Sequence, residues 1–141
     1  MTDLTVPMRD IMEVKPYTPD NHKILASWWK AHDWDVLPQT YLPKTGFMAW
    51  QGEIPIAACF LYTTDSVFAM MEWAISNPTS YHEQRHEAMN MIVKAIMKHC
   101  KEHEIEAIYT MTNHPSLVRS YKELGFIEAD KEIISFIKRI E

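Results

Sequence analysis

Between Phe47 and Ser76 three runs of apolar, β-branched and aromatic residues follow one another, and near Ser80 the spacing changes from that of strands to that of a helix. Gln51-Gly52-Glu53 reads as a hairpin turn between FMAW and IPIAACFLY. Thr64-Asp65-Ser66 reads as the next turn, leading into VFAMMEWAIS, so the three strands are expected to form an antiparallel meander. The helix after them is expected from about Ser80 to His103. Ala88, Met89, Ile92, Val93, Ile96 and Cys100 make its apolar stripe, with Glu87, Lys94, Lys98 and Lys101 opposite. A further short strand, AIYTMT, comes next. A helix between two strands of one sheet forces that pair to run parallel, which places a parallel pair, strands four and five, inside a largely antiparallel sheet.

The flanks extend this plan. MEVKPY (residues 12–17) alternates weakly and reads as an opening strand. Asp20 starts an amphipathic helix with Ile24, Leu25, Trp28 and Trp29 on one face, ending near His32. DWDVLPQTYLPKTG is loop-like, with two prolines and a terminal glycine. A further helix runs from about Pro115 to Leu124, and FIEADKEIISFIKRI reads as two further short strands around Ala129-Asp130. With no repeat or flexible linker, residues 1–141 are expected to be one α/β (α+β) domain.

Composition narrows the function classes. A net charge of -5, with Lys and Arg scattered, gives no footprint for nucleic acid. No apolar run reaches membrane-spanning length, and MTDLTVPMRD lacks the charged-then-apolar layout of a leader. Cys59 and Cys100 sit in apolar surroundings without C-x-x-C spacing and read as buried thiols. A cytoplasmic protein is the expectation.

His82-Glu83-Gln84-Arg85-His86 matches the H-E-x-x-H pattern of zinc peptidases. A catalytic zinc needs a third protein ligand and a buried helix, and Glu102 or Glu104 on the same helix lie far from His82 along the axis. The competing reading is a helix start: Ser80-Tyr81-His82-Glu83 fits a capping box, and Asn77-Pro78 is a rival start. No metal is expected here, and the same holds for His99 and His103, which repeat the spacing.

Residues 113–126, NHPSLVRSYKELGF, carry more. Gly125 before Phe126 fits a left-handed helix cap. The strand AIYTMTN followed by SYKELGF, together with the element order, resembles the GNAT (GCN5-related N-acetyltransferase) family over most of the chain. It is similar in particular to small bacteriophage-encoded members with a degenerate cofactor loop. The resemblance implies a GNAT-type sheet of six to seven strands, mixed and mostly antiparallel, with helices on both faces and strands four and five splayed to admit acetyl-CoA. It further implies free backbone groups near Trp73, Ala74 and Ile75, Asn113 bonding the pantetheine amides, Tyr121 as the acid that protonates the thiolate, and Glu72 as the base that takes the amine proton.

The family's [Q/R]-x-x-G-x-[G/A] segment, which cradles the CoA pyrophosphate, falls on Arg85-His86-Glu87-Ala88-Met89-Asn90. Arg85 is kept, whereas Ala88 and Asn90 stand in place of small residues and are expected to crowd the phosphate. Two readings are open: an N-acyltransferase that replaces the amide cradle with Arg85, His82 and His86, or a catalytically silent fold that binds a partner. The first takes a small-molecule or peptide amine as acceptor, and Trp28, Trp29, Trp34 and Tyr41 either wall an apolar pocket for it or, the expected case, pack the first helix down. The second takes a protein, and a homodimer is compatible with either.

Overall fold

The computed structural model describes residues 11–140, so the N-terminal stretch read for a leader lies outside the described residues. Five strands form one sheet in the order β1-β2-β3-β4-β5: β1 Met12–Pro16, β2 Thr45–Gln51, β3 Ile54–Thr63, β4 Phe68–Ser76 and β5 Ala107–Tyr109. Among the described residues three α-helices accompany them, α1 His22–Ala31, α2 His82–Glu102 and α3 Pro115–Glu123. Strands β1 to β4 pair antiparallel, and β4 pairs parallel with β5.

The helices cover both faces of the sheet, as two separate apolar cores show. On one face Leu25, Trp28 and Trp29 of α1 pack on Met48, Ala58 and Phe60. On the other, Ala88, Met89, Ile92, Val93, Ile96 and Cys100 of α2 meet Ala57, Cys59, Leu61 and Met71, with Tyr121 of α3 beside them. The buried residues of α2 are the six of the stripe read from its periodicity. Side chains alternate along a strand, so each central strand feeds both cores.

The turns arise from local chemistry. Gly52 at φ +65° makes the two-residue reversal between β2 and β3. At the next turn the Thr64 hydroxyl accepts from the Ser66 amide at 3.0 Å and donates to the Phe68 carbonyl at 2.6 Å. Gly125 adopts φ +97° after α3, and the Phe126 amide bonds back to the Tyr121 carbonyl at 2.9 Å.

Three expectations need correction. The sheet has five strands among the described residues rather than six to seven, because residues 127–140 form no strand. The fifth strand stops at Tyr109, so AIYTMTN is extended only over its first three residues and Asn113 lies in the linker before α3. The α2 start is His82: the Tyr81 amide is capped by Gln84 Oε1 at 2.7 Å, taking the role expected of Glu83, and residues 77–80 form a turn closed by the Ser80 amide on the Asn77 carbonyl.

Candidate active site

The parallel pair is short. Phe68, Ala69 and Met70 of β4 face Ala107, Ile108 and Tyr109 of β5, and there the ladder ends. β4 continues to Ser76 with no strand on that side among the described residues. Thr110, the first residue past β5, donates its hydroxyl to the Met71 carbonyl at 2.6 Å and marks where the strands part. Beyond it the β5-facing backbone groups of β4 have no ladder partner among the described residues, which leaves them open to bond another extended chain.

A bulge opens the same strand. Ala58 pairs with Ile75 and Phe60 with Glu72, so Trp73 and Ala74 together oppose the single residue Cys59. Trp73 takes φ +63°, a left-handed conformation costing on the order of 1–3 kcal/mol for a bulky residue. Its indole is fixed in return: Nε1 donates to the Tyr62 hydroxyl at 2.6 Å, and that hydroxyl donates to the Tyr41 carbonyl at 2.6 Å. The bulge also changes which face each residue serves. Ala69 and Met71 belong to the α2 core, whereas Ile75, an even number of residues further, belongs to the α1 core.

Glu72 and Tyr121 lie on the two sides of this opening. Glu72 pairs across from Phe60, on the α1 face, half-buried, and its Oε2 is buried without a hydrogen-bond partner. Burial pushes its carboxyl up to about 6, so the group is ionised at neutral pH yet basic enough to accept a proton. Tyr121 projects from α3 into the α2 core and is only 6% exposed. Burial raises its phenol, the neighbouring Cys59 thiol adds to this, and the Thr110 hydroxyl acts in the opposite sense. The phenol therefore stays protonated at neutral pH, beside the residue that marks the fork. Cys59 itself is pushed up to about 12 by burial and is no nucleophile at neutral pH.

Past the fork lies a cleft of about 170 Å³ between the free edge of β4 and the starts of α2 and α3. Ala74 and Ile75 line one wall, and His82, Arg85 and His86 line another. Arg85 donates from Nη1 to the Ser80 carbonyl, which ties the turn before α2 to the helix. His86 has Nε2 at 3.3 Å from Asn90 Nδ2 and Nδ1 at 3.4 Å from Ser120 Oγ. Among the described residues no three His, Cys, Asp or Glu side chains are grouped as a metal site, and the His82 and His86 rings stack 6.4 Å apart.

The structure thus brings Glu72, Trp73, Ala74, Ile75, Arg85 and Tyr121 to one fork and its cleft. Asn113 is exposed in the linker between Thr110 and α3. Ala88 is fully buried in the α2 core, where its methyl group packs on the sheet. The amides of the R-x-x-G-x-G register are occupied as well: α2 begins before it, and the Arg85 amide already bonds the Tyr81 carbonyl at 3.0 Å. The amides of the first turn, which have no helical carbonyl to bond, lie before Arg85. Thr110 and Tyr62 escaped sequence reading, since a lone Thr or Tyr in a strand pattern carries no signal of a fork. Trp28 and Trp29 pack α1 down, while Trp34 and Tyr41 are exposed, at 56% and 41%.

The fork and its cleft together present an unpaired strand edge, a cation, two imidazoles and a buried phenol. No helix among the described residues is long and apolar enough to cross a membrane. No protein-family model and no curated protein matches the chain by sequence. Solved structures do match. A GNAT-family acetyltransferase from Staphylococcus aureus Mu50 superposes with a TM-score of 0.68 at 12% identity, over 92% of this chain and 94% of that one. AAC(6')-Iy, in complex with the bisubstrate analogue CoA-S-monomethyl-acetylneamine, gives 0.67 at 13% identity over 93% and 100%. A transcriptional regulator from Bacillus halodurans C-125 gives 0.70 at 14% over 90% and 100%. With its mixed sheet, helices on both faces and parted parallel strands, the chain has the fold of the GNAT acetyltransferases.

Proposed function

We propose that the chain is an acyl-CoA-dependent N-acyltransferase, acetyl-CoA serving as co-substrate and an amine as acceptor. The observation that carries this reading is the fork itself: β4 and β5 pair over three residues and then part, with Tyr121 buried at the junction. Glu72 takes a proton from the acceptor ammonium, freeing its lone pair. The amine attacks the thioester carbonyl directly, the C–N bond forms as the C–S bond breaks, Tyr121 gives its proton to the departing thiolate, and the surplus proton on the new amide nitrogen passes to the phenolate and restores it. The free edge of β4 at Trp73, Ala74 and Ile75 and the exposed Asn113 bond the pantetheine arm. Arg85, with His82 and His86, meets the phosphates in place of the glycine-lined cradle, as befits a small member whose loop departs from the pattern. The likeness to phage-encoded members rests on residues 85–90 alone.

A second reading, a silent binding protein on this fold, draws on the helical pairing of the Arg85 amide and on the regulator among the structural matches, since fold alone does not assign chemistry. Calorimetry separates the two. The enzyme reading expects acetyl-CoA to bind in the micromolar range and Arg85→Glu to weaken binding about tenfold or more. No heat at millimolar acetyl-CoA would remove it.

A further inference from the structure

Glu72 stands alone in apolar company. Phe60 lies across from it on β3, and Tyr62 and Met70, the next pair along the same face, carry no charge either. Its Oε2 is buried without a hydrogen-bond partner, and the ion pairs among the described residues join other side chains. A buried carboxylate oxygen left open is costly until a donor meets it.

Beside this acid an aromatic ring is clamped. One hydroxyl, that of Tyr62, accepts from the Trp73 indole and donates to the Tyr41 carbonyl, and so joins the bulge in β4 to the loop after α1. Two other elements hold the same loop. The Tyr17 hydroxyl donates to Gln39 Oε1 at 2.5 Å, and His22 Nε2 donates to the Leu37 carbonyl at 2.6 Å. Residues 37–41 are thus a tethered wall. Burial raises the Tyr62 phenol, the bond from Trp73 acts in the opposite sense, and the Glu72 carboxylate adds to the rise, so the acid lies within electrostatic reach of the clamp. Trp73 stays 40% exposed while its one polar side-chain group is already bonded, and its ring has only apolar surface left to offer a ligand.

One open carboxylate receives one ammonium. A polycation would set its further charges against Phe60, Tyr62 and Met70, since Asp33 and Asp35, the acids of the loop, are exposed to water. We propose that the acceptor is a compact monoamine with an aromatic body, its ammonium on Glu72 and its ring on the Trp73 indole, and that Tyr62 is the positioning residue that holds this indole; the inference rests on the acyltransferase reading for its chemical outcome. Binding of the amine needs no cofactor, which lets the two be tested apart.

Calorimetry of the full chain, with and without CoA, compares 2-phenylethylamine, n-butylamine, spermidine and a lysine-containing peptide. The aromatic amine is expected to bind about tenfold or more tighter than the others, and to be the preferred acceptor in thiol release from acetyl-CoA. Trp73→Leu is expected to abolish its advantage over n-butylamine, and Trp73→Phe to restore most of it. Tyr62→Phe keeps the ring and breaks both bonds; it is expected to raise KM for 2-phenylethylamine about tenfold and leave KM for acetyl-CoA within about twofold, whereas general loosening of the fold would move both. Turnover confined to spermidine or the peptide would overturn the inference and leave the transferase standing. Aromatic-amine binding without any acetyl-CoA binding would do the reverse. No heat with 2-phenylethylamine at millimolar concentration, with or without CoA, would overturn the inference, and an unchanged amine KM in Tyr62→Phe would overturn the positioning role.

Discussion

Replacing Glu72 by Gln tests the electrostatics of the fork. Burial displaces the Glu72 carboxyl from its ordinary 4.5 to about 6, a bias against the charged form worth about 2 kcal/mol. The side chain is only half-buried, and solvent screening reduces the figure to about 1 kcal/mol. An acid whose pKa is raised by folding stabilises the folded state in its neutral form. The penalty is therefore absent well below pH 4.5, grows as pH rises through about 6, and is complete above about pH 7. Glu72→Gln is expected to raise stability by about 1 kcal/mol at neutral to alkaline pH, about 3 °C in Tm for a domain of this size, and to leave melting near pH 4 almost unchanged. Thermal melts of parent and variant at both pH values provide the comparison. Equal Tm shifts at the two would refute the claim that a buried charge is at stake. The variant also lacks the proposed base, so its acyl-transfer rate is expected to fall by roughly 10²–10⁴ while its stability rises.

Tyr121→Phe removes the proposed acid but keeps the ring in the core; kcat is expected to fall by about 10²-fold or more with KM little changed, measured by release of free thiol from acetyl-CoA. An unchanged kcat would clear the phenol. A methyl group on Gly46 would clash with the Phe60 ring, and Phe60 is fully buried, so Gly46→Ala is expected to cost about 1–3 kcal/mol in chemical denaturation. Cys59, raised to about 12 by burial, is expected to react with thiol reagents at pH 8 only at the rate of unfolding, as timed labelling in and out of denaturant would show.

The helices and the meander were legible in the sequence because each depends on a local period. The six buried residues of α2 are read directly from 3.6-residue spacing, and Gly125 from the need for a left-handed residue after α3. Glu72 and Tyr121 were placed near one another only through resemblance to a family; nothing local in MMEWAI or RSYKEL brings them together. The bulge at Trp73 was not legible, since it arises from a register difference against β3, a long-range property. Nor was the α2 start, where Ser80-x-x-Glu83 and Tyr81-x-x-Gln84 offer rival caps one residue apart and the Gln84 side chain decides by also reaching Gln51 Oε1 at 2.8 Å. The tail reads as two short strands by composition, but pairing needs a partner edge, a long-range property that composition does not carry, and residues 127–140 form no strand.

One extra residue at Trp73 lets a single strand change allegiance halfway along its length, serving one layer of the protein before it and the opposite layer after it. Evolution of this strand is thereby restricted in a particular way. Single substitutions on either side can be absorbed locally, but losing one residue at Trp73 or Ala74 would exchange inside for outside over the rest of the strand, misplacing Ile75 and the free edge in one event. Length, more than identity, is what selection is expected to guard there.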